Sequence, residues 1–117
     1  YRAKAQIVSK AEIIHQQMAL SHWDGRETSN ALALAAAAAD ELLDIRGVEA
    51  SFVLTEMPNV INVSARSLGD INVQVIMESI GGGGHLTIAG AQLGETTMEE
   101  ALEKLNQAIQ DFLENNK

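Results

Sequence analysis

Within Val60-Ile61-Asn62-Val63-Ser64-Ala65-Arg66-Ser67, the six residues from Ile61 to Arg66 alternate apolar and polar without a break. Successive side chains on a strand point to opposite faces, so Ile61, Val63 and Ala65 share one face and Asn62, Ser64 and Arg66 the other. A half-buried strand needs a partner strand and a helical layer over its apolar face. The partner precedes it: Ala50-Ser51-Phe52-Val53-Leu54-Thr55 is β-rich, and Met57-Pro58-Asn59 turns the chain between them. The helix follows near the C-terminus, where Met98, Ala101, Leu102, Leu105, Ala108, Ile109, Phe112 and Leu113 form one stripe. Thr96 with Glu99 fits a capping box, and Glu100 and Lys104 stand one turn apart on the outer side. Ile61, Val63 and Ala65 are therefore expected to share a core with this helix, leaving Ser64 and Arg66 to face solvent or a cleft.

Working outward, Asp70 or Asn72 can cap a short helix carrying Val73, Ile76, Met77 and Ile80 on one face. A glycine run follows, then a small-residue segment through Leu93 and a turn at Gly94-Glu95. Upstream, Ala31 to Leu43 is Ala-rich and reads as a helix capped by Thr28, Ser29 or Asn30, with Gly47 as its stop. Residues 12–22 read as one strand and residues 2–10 as helix or extended lead-in, with a turn at Asp24-Gly25-Arg26. The expected architecture is a single α/β (α+β) domain over residues 1–117. A small mixed sheet of three to five strands is packed by about three helices.

The composition narrows the function. Apolar residues make up 46% and charged residues 21% of the 117, which excludes a disordered chain. Eight basic against sixteen acidic residues leave a net charge of −8, the wrong sign for tracking a long polyanion. The chain has no cysteine, so disulfides, thiolate metal ligands and a thiol nucleophile are all excluded. No apolar run reaches the roughly 18 residues of a membrane span. The opening Tyr1-Arg2-Ala3-Lys4-Ala5 has neither an initiator Met nor a signal pattern, and suggests a fragment of a longer protein.

Two features point to chemistry. Gly81-Gly82-Gly83-Gly84-His85 follows a helix directly, and one glycine would have sufficed to end it. Four glycines carry a large entropic penalty, and they strip the backbone of Cβ atoms so that a planar or anionic ligand reaches its N–H groups. His85 then offers a directional donor. The competing reading is a flexible linker. The second feature is Arg66, the one cation between Val48 and Glu103. It is either half of a surface ion pair or a fork for one phosphate group. A crossover through the short helix is expected to return the chain to the strand end, so that Arg66 and His85 border one cleft. His15 and His22 have no carboxylate at ligand-like spacing and read as strand or loop residues, Trp23 as a core or rim aromatic, and Glu95, Glu99 and Glu100 as helix-start charges.

Residues Ala50 to Leu93 resemble the DHH-associated domain of the DHH phosphoesterases. The resemblance is carried by Ala50-Ser51-Phe52-Val53-Leu54, Ser64-Ala65-Arg66-Ser67, Ile71-Asn72-Val73-Gln74-Val75-Ile76-Met77, Gly81-Gly82-Gly83-Gly84-His85 and Ala89-Gly90-Ala91-Gln92-Leu93. Its wording is similar to the C-terminal domain of the membrane-anchored cyclic-di-AMP phosphodiesterases of Gram-positive bacteria. The Ala-rich and C-terminal helices extend the likeness over nearly the whole chain.

The resemblance implies a substrate-binding lobe that closes over a preceding DHH domain in cis, in which Asp and His ligands hold two Mn²⁺ ions. It implies that Ser64, Arg66, Ser67, Gly82, Gly83, Gly84 and His85 face a cyclic dinucleotide or short nucleotide substrate. This sequence has no Asp-His-His motif or aspartate cluster, so metal ligands and catalytic residues are expected outside it, and the chain alone is expected to be inactive. The parent protein is expected to be membrane-anchored, with this domain in the cytoplasm. Two alternatives stay open: the lobe of a soluble oligoribonuclease or phosphoadenosine-phosphate phosphatase, and a nucleic-acid-binding module like that of alanyl-tRNA synthetases.

Overall fold

Alternation in the central hairpin is realised as a pair of eight-residue strands, and the rest of the sheet grows from them. The computed structural model describes residues 2–116; Tyr1 and Lys117, the ends of the expected domain, lie outside the described residues. The elements are α1 (Arg2–Ser9), β1 (Glu12–Ile14), β2 (Met18–Asp24), α2 (Ala31–Leu42), β3 (Ala50–Met57), β4 (Val60–Ser67), α3 (Val73–Glu78), β5 (Gly83–Gly84), β6 (Ile88–Gly94) and α4 (Met98–Asn115). They form one mixed sheet in the order β1-β2-β3-β4-β6-β5, in which only β2 and β3 run parallel, joined through α2. The class is the one expected. There are six strands and four helices, more than the three to five and about three read from the sequence.

Each extra element has a local cause. The single strand expected over residues 12–22 is two, because His15 (φ 51°) and Gln16 (φ 71°) turn the chain back in the left-handed region. The lead-in is helical, with Ile7 buried against the sheet. β5 consists of two glycines, which have no side chains to announce a strand. In the central hairpin Met57 still belongs to β3, and Pro58-Asn59 turns alone, with Asn59 at φ 65°.

Both faces of the sheet are covered, but unequally. On one face Met18, Leu20, Phe52, Leu54, Ile61, Val63, Ala65, Ala91 and Leu93 pack against Val73, Ile76 and Met77 of α3 and Ala101, Leu105 and Ile109 of α4. The core expected for Ile61, Val63 and Ala65 is therefore present. On the other face α1 and α2 cover β2 and β3 through Ile7, Ala19, Ala35, Ala38, Ala39, Leu42 and Val53. The alanines bring the α2 backbone so close that the buried Ser51 hydroxyl donates to Ala39 O at 2.6 Å; Ser21 donates likewise to Ile7 O at 2.7 Å. These serines satisfy their own polarity within a dry layer.

Helix ends decide two open alternatives and correct one expectation. α2 starts after Asn30, which sits at φ 56° and makes no side-chain cap bond. At α3 the cap is Asn72, not Asp70: its Oδ1 accepts from the backbone N–H of Gln74 and Val75. The capping box of α4 is Thr97 with Glu100, one residue beyond the expected Thr96 and Glu99. Glu100 accepts from Thr97 N–H at 3.1 Å, and this bond, then those from the hydroxyls of Thr97 and Thr96, hold its carboxyl below the ordinary carboxylate range. A depressed folded-state pKa stabilises the protein above the unfolded-state value and loses that stabilisation as pH falls through the folded one. Thr97→Ala should cost about 1 kcal/mol at neutral pH. It should also flatten the acid limb of a thermal-melt series in part, since the Thr97 backbone N–H bond remains; an unchanged limb would mean the Thr97 hydroxyl contributes nothing.

Candidate functional site

α2 reaches the outward face of β4 at its Arg66 end, through Asp40, and the rest of that face, towards β6, stays open. Asn62, Ser64 and Arg66 point onto it from β4, Gly90 and Gln92 from β6, and Gly81 and Gly82 border it. Together they line a concavity of about 570 Å³. Its floor is nearly bare of side chains at the centre, where Ser64 opposes Gly90.

Arg66 stands at one end. Its side chain is only 14% exposed, and Nε donates to Asp40 Oδ1 of α2 at 3.0 Å. One Nη1 hydrogen goes to Ala65 O at 3.0 Å. The other three of the five guanidinium N–H bonds have no protein partner among the described residues. The surface-pair reading of Arg66 is thus partly correct, since Asp40 is a real partner. What it leaves unexplained is the burial and the uncommitted side of the fork, which borders the concavity.

The four glycines separate into distinct tasks. Gly81, at φ 93°, ends α3 in a Schellman pattern: Gly82 N–H donates to Met77 O and Gly81 N–H to Glu78 O. A Cβ on Gly82 would run into Gly90 O and come within 2.6 Å of the Ala91 Cβ. A Cβ on Gly84, at φ 141°, would lie 2.5 Å from Ala89 Cα and Ile88 O. These two glycines let β5 lie against β6. Gly81 and Gly83 have nothing within 4 Å of a would-be Cβ; Gly81 is called for by its positive φ, whereas neither packing nor a positive φ demands a glycine at Gly83. The run is an ordered part of the sheet, which corrects the linker reading.

Among the expected site residues, the fold brings Ser64, Arg66 and Gly82 into one concavity and leaves four outside its lining. Gly83 and Gly84 form the adjoining edge strand. His85 is exposed at the tip that follows, its backbone N–H held by Ile88 O at 2.7 Å. Ser67 is buried, and its hydroxyl accepts from Gly69 N–H at 2.9 Å, so it shapes the end of β4. The expected crossover is also different. β6 runs antiparallel to β4, so α3 simply returns the chain to the end where β4 stopped, placing Ile88 opposite Arg66. Asp40, Asn62, Gly90 and Gln92 were not singled out from the sequence. Asn62 and Gln92 carried a signal, polar alternation on two segments, but their opposition depends on register.

His15 and His22 are exposed on the β1–β2 turn and on β2, and Trp23 Nε1 donates to Thr55 Oγ1 at 2.8 Å. Among the described residues no three His, Asp or Glu side chains converge as a metal site, so the implied Mn²⁺ pair finds no ligand set here.

The geometry has close counterparts. The chain is 45% identical over its whole length to the cyclic-di-AMP phosphodiesterase GdpP of Geobacillus thermodenitrificans. Over 96% of its length it is 46% identical to the cyclic-di-AMP phosphodiesterase PdeA of Listeria monocytogenes. It spans only 18% and 17% of the length of these two relatives. An exopolyphosphatase-related protein of Bacteroides fragilis superposes over 95% of this chain and 34% of its own, with a TM-score of 0.82 and 26% identity. The C-Ala domain of Aquifex aeolicus alanyl-tRNA synthetase shares the fold over 85% of this chain and 96% of its own, with a TM-score of 0.62 at 18% identity. The DHHA1 domain matches residues 13–115. With that match running over most of its length, the chain belongs to the DHHA1 domain family.

Proposed function

We propose that this domain is the substrate-binding lobe of a phosphodiesterase that hydrolyses cyclic-di-AMP to a linear dinucleotide. The observation that carries the reading is the bare floor around Ser64, Gly82 and Gly90, with a largely buried and partly uncommitted Arg66 at its edge. In a domain of net charge −8, Arg66 is the group that can make an anionic ligand welcome here. It would hold one phosphate by charge-assisted hydrogen bonds, fixing the ligand's register while the flat floor accepts a base. The likeness to two cyclic-di-AMP phosphodiesterases supports the substrate class.

The reacting groups belong elsewhere in this reading. A DHH domain in the same polypeptide would bring the Mn²⁺ ions, and this lobe would dock on it. A patch beside the glycine loop supports such docking. Leu68, Val75, Leu86 and Ile88 are 45–59% exposed, on segments tied together by Ser67 N–H to Thr87 O and Val73 N–H to Leu86 O. A soluble oligoribonuclease and phosphoadenosine-phosphate phosphatase is the second reading, favoured by 38% identity over 72 residues to such a bifunctional enzyme of Thermus thermophilus.

The test compares this chain with a longer polypeptide that adds the DHH domain, each given Mn²⁺. The longer protein should hydrolyse cyclic-di-AMP faster than oligoribonucleotides or 3′-phosphoadenosine phosphate. This chain alone should neither bind Mn²⁺ stoichiometrically nor turn over substrate. Faster turnover of either alternative substrate would give the second reading; turnover by this chain alone would overturn both. Membrane anchoring of the parent protein is part of the same proposal, and recovery of the full-length parent with the membrane fraction would check it.

A further inference from the structure

Arg66 accounts for one end of the concavity, and its other end is unassigned. There Asn62 of β4 lies directly opposite Gln92 of β6, and both line the concavity. Asn62 and Arg66 are four residues apart on one face of a strand, a separation of about 13 Å along it. Between them lies the bare floor, Ser64 opposite Gly90. Asn62 Nδ2 makes one long bond, 3.4 Å, to Ser64 Oγ. Among the described residues no side-chain hydrogen bond engages Gln92, which is exposed.

A single amide on an outward sheet face is ordinary. Two amides opposed across a strand pair, at the far end of a Cβ-poor floor from a lone cation, form a bipartite arrangement. A primary amide presents a donor and an acceptor side by side, which matches the N6 donor and N7 acceptor on the adenine edge. The corresponding edge of guanine or hypoxanthine presents two acceptors, O6 and N7. An amide set against it leaves its own carbonyl facing another acceptor, an unpaired contact that costs affinity.

We propose that Asn62 and Gln92 form the base-reading edge of this site, Gln92 making the bidentate pair with an adenine that lies over the Gly82–Gly90 floor. The inference rests on the nucleotide-binding reading above and adds to it the residues that choose the base. Phosphate capture and base choice then fall at opposite ends of the same strand, so that they separate by mutation.

The experiment is calorimetric titration of the complete polypeptide, with chelator present to prevent turnover, using cyclic-di-AMP and its hypoxanthine analogue cyclic-di-IMP. The unaltered protein should prefer the adenine form by roughly ten- to a hundredfold. Gln92→Ala, and more fully Asn62→Ala with Gln92→Ala, should bring the ratio close to one by weakening the adenine form, with melting temperature unchanged. Arg66→Ala should weaken both ligands alike and keep the ratio. A ratio near one in the unaltered protein, or an undiminished ratio in the double variant, overturns the base-reading role. If Arg66→Ala still weakens both ligands, the phosphate site survives that result. If Arg66→Ala changes neither, the nucleotide-binding reading itself falls, and the base-reading role with it.

Discussion

Arg66→Ala in the complete polypeptide should weaken cyclic-di-AMP binding by roughly ten- to a hundredfold, and Asp40→Asn should strengthen it. The first effect follows from losing a charge-assisted pair worth about 1.5–3 kcal/mol at a largely buried guanidinium. The second follows from the partner. Asp40 Oδ1 accepts from Arg66 Nε at 3.0 Å, and its carboxylate is 64% exposed at the rim where a phosphate would arrive. Neutralising it removes a repulsion and weakens the hold on Nε, while one Nη1 hydrogen stays on Ala65 O. Because that rim is wet, the gain should be modest, roughly two- to fivefold, and should shrink as salt is raised. Opposite signs from the two members of one ion pair are the diagnostic result. Unchanged affinity in both variants would mean that the pair serves only to fasten α2 to β4.

The glycine run should divide just as sharply between stability and binding. Gly84→Ala places a Cβ 2.5 Å from backbone atoms of β6, at a φ of 141° that an alanine rarely adopts. Crowding costs about 1–3 kcal/mol and the backbone strain another ~1–3. The protein should therefore melt many degrees lower, and amide exchange should quicken first along β5 and β6. At Gly83 an added Cβ has no atom within 4 Å, so the melting temperature of Gly83→Val should barely move. If the surface above Gly83 receives the ligand, the isopropyl group should nonetheless abolish binding. Normal binding by Gly83→Val would end the site at Gly82, where the lining of the concavity also ends. A Gly84→Ala protein as stable as its parent would contradict the close packing of β5 on β6.

The parts of this protein that repeat with a period were legible before any packing was known. Alternation over residues 61–66 gave the central strand, its inward and outward faces, and hence the outward position of Ser64 and Arg66. The stripe from Met98 to Leu113 gave the helix over the core, and the charge balance with the solitary Arg66 motivates the proposal of a small anionic ligand. Elements without a pattern were not legible: two left-handed residues, His15 and Gln16, split one strand into a hairpin, and Gly83-Gly84 became a strand with no side chains to show it. Only the tertiary structure decided what lies across from what. Pairing register put Gln92 opposite Asn62 and Gly90 opposite Ser64, and the placement of α2 put Asp40 beside Arg66. The physical reason is that period reports which way a side chain points along its own element. Register and helix placement depend on the summed packing of all the elements at once, and no single stretch of the chain contains that sum.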